Sequence, residues 1–187
     1  MKRLLLTLLI VLFASTSLAG ATLGLYFDLW PGKMAYAPPE PMPSFFDVYL
    51  YLHASNYYVT ALEYQLTTPN EPAHTLFIIN TVTPAEQAVV TLGSPWEGHS
   101  LAFWPPLDGY TPGYNMICKY TCMTLTPCLA GLVDYPIVVG PHPGSGQLWG
   151  TFYPNNETFP IIGLTSILCP YYIGVQNTSW GAIKSLY

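Results

Sequence analysis

Proline and glycine divide this chain into short segments, and this spacing is the feature that most limits its fold. The sequence contains nineteen prolines and fifteen glycines, together with fifteen tyrosines and eight phenylalanines. Proline cannot donate a hydrogen bond to a β-ladder and therefore marks strand ends, whereas aromatic side chains fit a pleated surface. Helical periodicity is hard to find after residue 20. The chain is therefore predicted to form many short strands joined by rigid turns.

Apolar alternation places the clearest strand at 44–54. Phe46, Val48, Leu50 and Leu52 recur there at period two, which predicts that this face lies in the core. A second alternating segment spans 57–68, and the intervening Ser55-Asn56 suggests a tight hairpin. Further strands are expected at 22–30, 75–82, 88–92, 100–104, 114–125, 136–139, 148–153, 160–164, 171–176 and 182–186. About nine to eleven strands without crossover helices predict a single antiparallel β-sandwich of Ig-like architecture.

The first nineteen residues have the layout of a secretory signal peptide. A basic head, Lys2-Arg3, precedes an apolar run that ends at Phe13, and Ser17-Leu18-Ala19 supplies small residues before a cleavage near Ala19-Gly20. Residues 1–19 are thus predicted to be a signal peptide and residues 20–187 a β-sandwich domain that is secreted or periplasmic. No later apolar run approaches the roughly 20 residues that a helical membrane span needs.

The charge of the mature part excludes whole classes of partner. It carries Lys33, Lys119 and Lys184 and no arginine, against ten acids. A nucleic-acid-binding protein needs clustered Lys and Arg to displace counterions from phosphates, so nucleic acid is excluded as a partner. Binding to an anionic membrane surface is disfavoured for the same reason.

Four cysteines in an exported chain predict two disulfides. Cys118 and Cys122 lie four residues apart on an expected strand, thus about 13 Å apart, so they do not bond each other. A turn at Thr126-Pro127 would bring Cys122 towards Cys128 and leave Cys118 for Cys169. The alternative pairs Cys118 with Cys128 and Cys122 with Cys169.

No catalytic, cofactor or metal site is predicted. The histidines lack the spacing of metal ligands; they are His53, His74, His99 and His142. Asp47 and Glu63, on strands expected to be adjacent, are the one carboxylate pair that the pattern brings together. The alternative function is therefore an exported hydrolase or metal-dependent enzyme on a sandwich scaffold, which needs two facing carboxylates or converging histidines.

Aromatic residues exceed what a solvated strand face needs. The non-core face of the 44–54 strand carries Phe45, Asp47, Tyr49, Tyr51 and His53. The expected cover for this row is the 31–43 loop, through Met34 and Tyr36; the alternative is an exposed platform that meets a ligand or another subunit. The residues expected to form a binding face are Phe45, Tyr49, Tyr51, Trp104 and Tyr110.

Short motifs near both ends resemble a known group. These are Leu23-Gly24-Leu25-Tyr26-Phe27-Asp28 and the closing Thr178-Ser179-Trp180-Gly181-Ala182-Ile183-Lys184-Ser185-Leu186-Tyr187, with Pro141-His142-Pro143-x-Ser-Gly and Cys169-Pro170 between them. They resemble small uncharacterised exported all-β proteins of environmental bacteria. The resemblance implies a secreted β-sandwich that is complete at Tyr187, and it implies no activity and no functional residue.

These observations together predict a secreted, non-catalytic β-sandwich module with a binding or structural role. Its expected partners are a surface protein, a polysaccharide or further subunits of an extracellular assembly, and self-association is compatible with the aromatic excess. No cofactor is implied.

Overall fold

A computed structural model describes residues 21–38, 40–53, 58–68, 76–82, 88–108, 113–125, 128 and 135–169. The described residues form thirteen strands, of which β2 and β12 have two residues each. The strands are β1 Thr22–Tyr26, β2 Ala35–Tyr36, β3 Ser44–His53, β4 Tyr58–Thr67, β5 Leu76–Val82, β6 Ala88–Ser94, β7 Gly98–Asp108, β8 Asn115–Thr124, β9 Tyr135–Gly140, β10 Trp149–Tyr153, β11 Glu157–Pro160, β12 Ile162–Gly163 and β13 Thr165–Leu168. The predicted signal peptide and the predicted strands at 171–176 and 182–186 lie outside the described residues.

The strands form two sheets that pack as a β-sandwich, as predicted. The five-stranded sheet has the order β12-β1-β3-β8-β5, and the eight-stranded sheet follows the path β11-β10-β4-β9-β13-β2, with β7 paired to β4 and β6 paired to β7. Neighbours are antiparallel except at two short contacts, β1 with β12 and β13 with β2. No helix in the described part of the chain is long and apolar enough to cross a membrane.

The apolar alternation of β3 forms one wall of the core. Val48, Leu50 and Leu52 are at most 2% exposed, and Phe46 is 8% exposed, which confirms the predicted core face. The opposing wall includes Leu62, Tyr64 and Leu66 of β4, from the other sheet. Burying a Leu or Val side chain is favourable by about 1.5–3 kcal/mol, so this shared interior holds the sheets together.

The predicted hairpin between the 44–54 and 57–68 segments is wrong. β3 pairs with β1 and β8 in one sheet, whereas β4 pairs with β7, β9 and β10 in the other. The chain therefore crosses between sheets after His53. Each of these two strands has one apolar face that must be buried. When β3 and β4 face each other across the sandwich, each strand covers the apolar face of the other.

The predicted strand at 160–164 is not continuous: Pro160 ends β11, Ile162–Gly163 form β12, and β13 begins only at Thr165. β11 belongs to the eight-stranded sheet, β12 pairs with β1 in the five-stranded sheet, and β13 returns to pair with β9. Gly163 permits this passage, because a Cβ built there would lie 1.8 Å from the carbonyl oxygen of Val139. The β1 strand is also shorter than predicted, ending at Tyr26.

The cysteine pairing differs from both predicted connectivities. Cys128 bonds Cys169, with an S–S distance of 2.00 Å and a Cα–Cα distance of 5.1 Å, while Cys118 and Cys122 remain thiols. Cys118 and Cys122 point from β8 into the sandwich interior, where they are 0% and 2% exposed. The expectation of two bridges is therefore wrong, because β8 directs both of these side chains into the core, where they pack as small apolar groups.

Candidate functional site

Strand register brings four tyrosines together on the outer face of the five-stranded sheet. Tyr49 on β3 lies opposite Tyr26 on β1 and opposite Lys119 on β8. Tyr51 lies one alternation further along β3, and Tyr114 directly precedes β8. We call Tyr26, Tyr49, Tyr51 and Tyr114 the tyrosine face.

Three rings of the tyrosine face contact one another edge-on, and the Tyr49 ring lies tilted beside that of Tyr51, with centroids 6.4 Å apart. The centroids of Tyr26 and Tyr51 are 5.7 Å apart, those of Tyr26 and Tyr114 are 5.7 Å apart, and those of Tyr51 and Tyr114 are 6.2 Å apart, with interplanar angles of 72–85°. The His53 ring lies 5.1 Å from Tyr114. Such T-shaped pairs place a positive ring edge on a negative ring face, which fixes the rings relative to each other.

The cover of this row differs from the predicted one. Tyr51 is 5% exposed, and its hydroxyl donates to the backbone carbonyl of Leu29, in the segment that follows β1. Tyr36 of the 31–43 loop instead stacks on Phe27 and contacts Phe46, on the core side of β3. The 31–43 loop lies on the core side of β3 because β2, which is part of this loop, pairs with β13 in the opposite sheet.

The rest of the outer face remains open to solvent. Phe45 is 57% exposed, Tyr114 is 47% exposed and Met116 is 36% exposed, whereas Tyr49 is half-buried. The exposed apolar surface thus flanks the buried ring of Tyr51. Neither the fully covered row nor the fully exposed platform describes this face.

A charge pair lies within the same face. Lys119 Nζ is 2.8 Å from Asp47 Oδ2 and 6.0 Å from the centroid of the Tyr49 ring, and the Thr121 hydroxyl donates to Asp47 at 3.1 Å. The hydrogen bond to Asp47 raises the pKa of Lys119. The face therefore presents a fixed ammonium, a carboxylate and aromatic rings side by side.

Burial also changes the acidity of two of the tyrosines. Desolvation, with Tyr114 and Asp28 nearby, raises the pKa of Tyr26 to about 12. Desolvation, with Tyr49 and Asp28 nearby, raises the pKa of Tyr51. Both hydroxyls are protonated at neutral pH, as an ordinary tyrosine is, and that of Tyr51 donates to Leu29.

The structure does not bring all the predicted binding-face residues together. Phe45, Tyr49 and Tyr51 share the outer face of the five-stranded sheet. Trp104 lies on β7 in the eight-stranded sheet, where it is 70% exposed, and Tyr110 lies outside the described residues. Tyr26 and Tyr114 were missing from the predicted set, because neither lies on the strand whose alternation revealed the face.

A buried polar cluster links the two sheets. The Tyr64 hydroxyl of β4 lies 2.7 Å from His99 Nδ1, hydrogen-bonds the Tyr120 hydroxyl of β8, and lies 3.9 Å from Cys118 Sγ. Burial raises the pKa values of both tyrosines well above 10.0. Burial, with His142 nearby, lowers the pKa of His99, so the imidazole is neutral. All four side chains of this cluster are at most 1% exposed, so it is sealed from solvent.

The groups that the hydrolase alternative requires are separated. Asp47 lies on the outer face of one sheet and Glu63 on the outer face of the other, so the sandwich stands between the two carboxylates. Among the described residues, no three His, Cys, Asp or Glu side chains could hold a metal ion together. His74 lies outside the described residues.

One serine contacts both a carboxylate and a histidine. Ser100 Oγ lies 3.4 Å from Glu63 Oε1 and 3.5 Å from His142 Nε2. In a nucleophilic triad the histidine stands between the serine and the acid, so that it can take the serine proton. Here the serine stands in the middle, and the carboxylate does not orient the imidazole.

The geometry defines an all-β sandwich with one aromatic and charged outer face. Its fold is similar to a cohesin module from the family 33 glycoside hydrolase of Clostridium perfringens, with a TM-score of 0.50 and 11% identity over 80% of this chain and 95% of that chain. The sixth cohesin from scaffoldin B of Acetivibrio cellulolyticus, solved in complex with a Cel5 dockerin, aligns at a TM-score of 0.49 and 11% identity, over 80% of this chain and 98% of that chain. No family model matches the sequence, and no curated protein matches it.

Proposed function

We propose that this chain is a non-catalytic binding module whose partner is a protein, which docks on the tyrosine face and its rim. The observation that carries the proposal is the exposed set of Phe45, Tyr114 and Met116 around the Asp47–Lys119 pair. Protein interfaces are enriched in aromatic residues and methionine relative to the rest of the surface.

The order within the tyrosine face supports binding rather than simple packing. Rings already held by edge-to-face contacts lose little conformational freedom when a partner arrives, which favours affinity. The Lys119 ammonium and the Asp47 carboxylate offer one group of each sign, and such pairs set partner orientation more than affinity.

We also propose that this binding module acts outside the cytoplasm. The Cys128–Cys169 disulfide supports it, because such bonds persist in oxidising compartments. The layout of residues 1–19 supports export in the same way.

The proposal is tested by affinity capture. The purified domain, residues 20–187, is used to capture proteins from an extract of the cell surface and culture medium of the source cells. A captured protein is then purified and titrated against wild type, Phe45→Ala and Tyr114→Ala, with Trp104→Ala as the matched exposed aromatic on the other sheet. We expect each face variant to weaken binding at least tenfold, about 1.4 kcal/mol, and Trp104→Ala to bind as wild type. Equal binding by all four proteins would refute the tyrosine face as the site.

A further inference from the structure

A recess lies on the side of the molecule opposite the tyrosine face, on the outer face of the eight-stranded sheet. Its volume is about 220 Å³, and it is lined by Ala61, Leu62, Glu63, Ser145, Trp149, Thr151 and Thr158. We call this recess the Trp149 groove. It shares no residue with the tyrosine face, so the two surfaces are independent.

Strand register explains how the groove forms. β10 lies between β4 and β11, so that Trp149 stands opposite Glu63 on one side and Pro160 on the other. Two residues further along β10, Thr151 lies opposite Ala61 of β4 and Thr158 of β11. Because the side chains of Ala61, Thr151 and Thr158 are small, a depression remains beside the large indole of Trp149.

The polar groups of the groove are hydroxyls and one carboxylate. Thr151 and Thr158 each offer a donor and an acceptor, and Glu63 accepts a hydrogen bond from Ser100 at 3.4 Å. The same Ser100 hydroxyl lies 3.5 Å from His142 Nε2. The Ser145 hydroxyl donates to the carbonyl oxygen of Gln147 at 3.3 Å and keeps its acceptor positions for a ligand. A ligand with several hydroxyl groups would match this set of donors and acceptors.

Trp149 adds an aromatic face and an unused donor. Its indole Nε1 is buried and finds no hydrogen-bond partner among the described residues. A buried donor without a partner costs about 1–3 kcal/mol, so a ligand oxygen that reached it after a small ring movement would bind favourably. The face of an indole also packs well against the C–H groups of a sugar ring, because the negative face of the π-system attracts these weakly positive hydrogens.

We propose that the Trp149 groove binds a neutral saccharide, one ring at a time. Ligand pockets for larger molecules have roughly 300–1,000 Å³, so a recess of about 220 Å³ fits a single pyranose unit of a chain that passes over the sheet. The Glu63 carboxylate and the acidic excess of the protein disfavour a sugar that carries a carboxylate.

An NMR titration of the isotope-labelled domain tests this proposal. The probes are cellotetraose, xylotetraose and chitotetraose as neutral sugars and tetragalacturonate as the acidic one, each to about 5 mM, which detects a Kd near 1 mM. We expect at least one neutral probe to shift the indole N–H signal of Trp149 and the amides of β10 and β11. No shift with any neutral probe, or stronger binding of the acidic one, would overturn the proposal.

Variants then separate the groove from the rest of the surface. Trp149→Ala should weaken the neutral sugar at least tenfold, and the exposed Thr158→Ala should weaken it several-fold without a change in melting temperature. Trp30→Ala, which removes an 82% exposed indole outside the groove, is the matched control and should bind as wild type. Loss of sugar binding in Trp30→Ala would refute the assignment to the Trp149 groove. Binding of the sugar at wild-type affinity by both Thr158→Ala and Glu63→Gln would refute it as well. Because Tyr114→Ala leaves the groove intact, failure of the protein-binding proposal would not affect this result.

Discussion

The hydroxyl groups of Tyr64 and Tyr120 hydrogen-bond each other across the interior of the sandwich, one from each sheet. Tyr64 also contacts His99, so a single hydroxyl connects three strands, β4, β7 and β8. Both tyrosines are 0% exposed. In a low-dielectric interior such bonds are strong when complete and unfavourable when broken, so this cluster fixes the position of one sheet against the other.

Removing the central hydroxyl should cost more stability than removing the outer one. Tyr64→Phe leaves both His99 and Tyr120 without this partner, so we expect a loss of about 1–3 kcal/mol in the free energy of unfolding. Tyr120→Phe leaves the Tyr64–His99 bond in place, and its loss should be smaller. Urea denaturation of both variants measures the difference.

The double variant Tyr64→Phe/Tyr120→Phe is the control for this cluster. Because it removes both hydroxyls of one bond, its loss should be smaller than the sum of the single losses. Strictly additive losses would show that the two hydroxyls do not interact.

His99 should make the protein less stable in mild acid. Burial lowers its pKa in the folded state below the ordinary 6.5, so the unfolded chain binds the proton more readily. The contribution of the neutral ring is therefore fully present above about pH 6.5 and is lost as the pH falls from there towards the folded-state pKa. Tyr64 and His142 are the titratable groups found beside this ring.

Unfolding measurements between pH 5 and pH 8, roughly the range in which histidine titrates, check this. We expect the stability of His99→Gln to depend less on pH than that of wild type. Leu101→Ala, which removes a buried apolar side chain from the same strand, should lower stability while keeping the wild-type slope. An unchanged slope in His99→Gln would contradict the prediction.

Counting thiols distinguishes the observed cysteine pairing from two bridges. Without reductant, the native protein should show no reactive thiol, because Cys118 and Cys122 are buried and burial, with Asp47 nearby, raises the pKa of Cys122 to about 12. The unfolded protein should show two, both absent in the double variant Cys118→Ala/Cys122→Ala. An unfolded wild-type protein without thiols would mean that these residues are oxidised.

Two glycines should differ in their tolerance of alanine. A Cβ at Gly163 would lie 1.8 Å from the carbonyl oxygen of Val139, so Gly163→Ala must displace the backbone where β12 passes β9. Gly146 has a φ of 68° but nothing within 4 Å of its Cβ position, so Gly146→Ala should cost only about 1–2 kcal/mol. Thermal unfolding should therefore place Gly163→Ala well below Gly146→Ala; the reverse order would show that the close approach relaxes.

The fold class was readable from the sequence because it depends on local pattern. The period-two alternation of Phe46, Val48, Leu50 and Leu52 predicts a strand with one buried face, and the structure buries that face. The sandwich follows, since many such strands without crossover helices have few other ways to cover their apolar sides.

The partners of each strand were not readable in the same way. The alternation of β3 and β4 is equally compatible with a hairpin and with a crossing between sheets, and the hairpin was the wrong choice. The hairpin also placed Asp47 beside Glu63, and an expected turn at Thr126-Pro127 placed Cys122 near Cys128. Pairing depends on which long-range packing fills the core best, and no local pattern records it.

The sequence by itself therefore determined the all-β class and the core face of β3. The tertiary structure alone decided that Tyr26 and Tyr114 complete that row, that Cys128 meets Cys169, and that Trp149 faces Glu63 and Pro160 beside a groove. The physical reason is range: alternation is set by the backbone pleat within one strand, whereas these contacts join residues brought together only when two sheets close on one core.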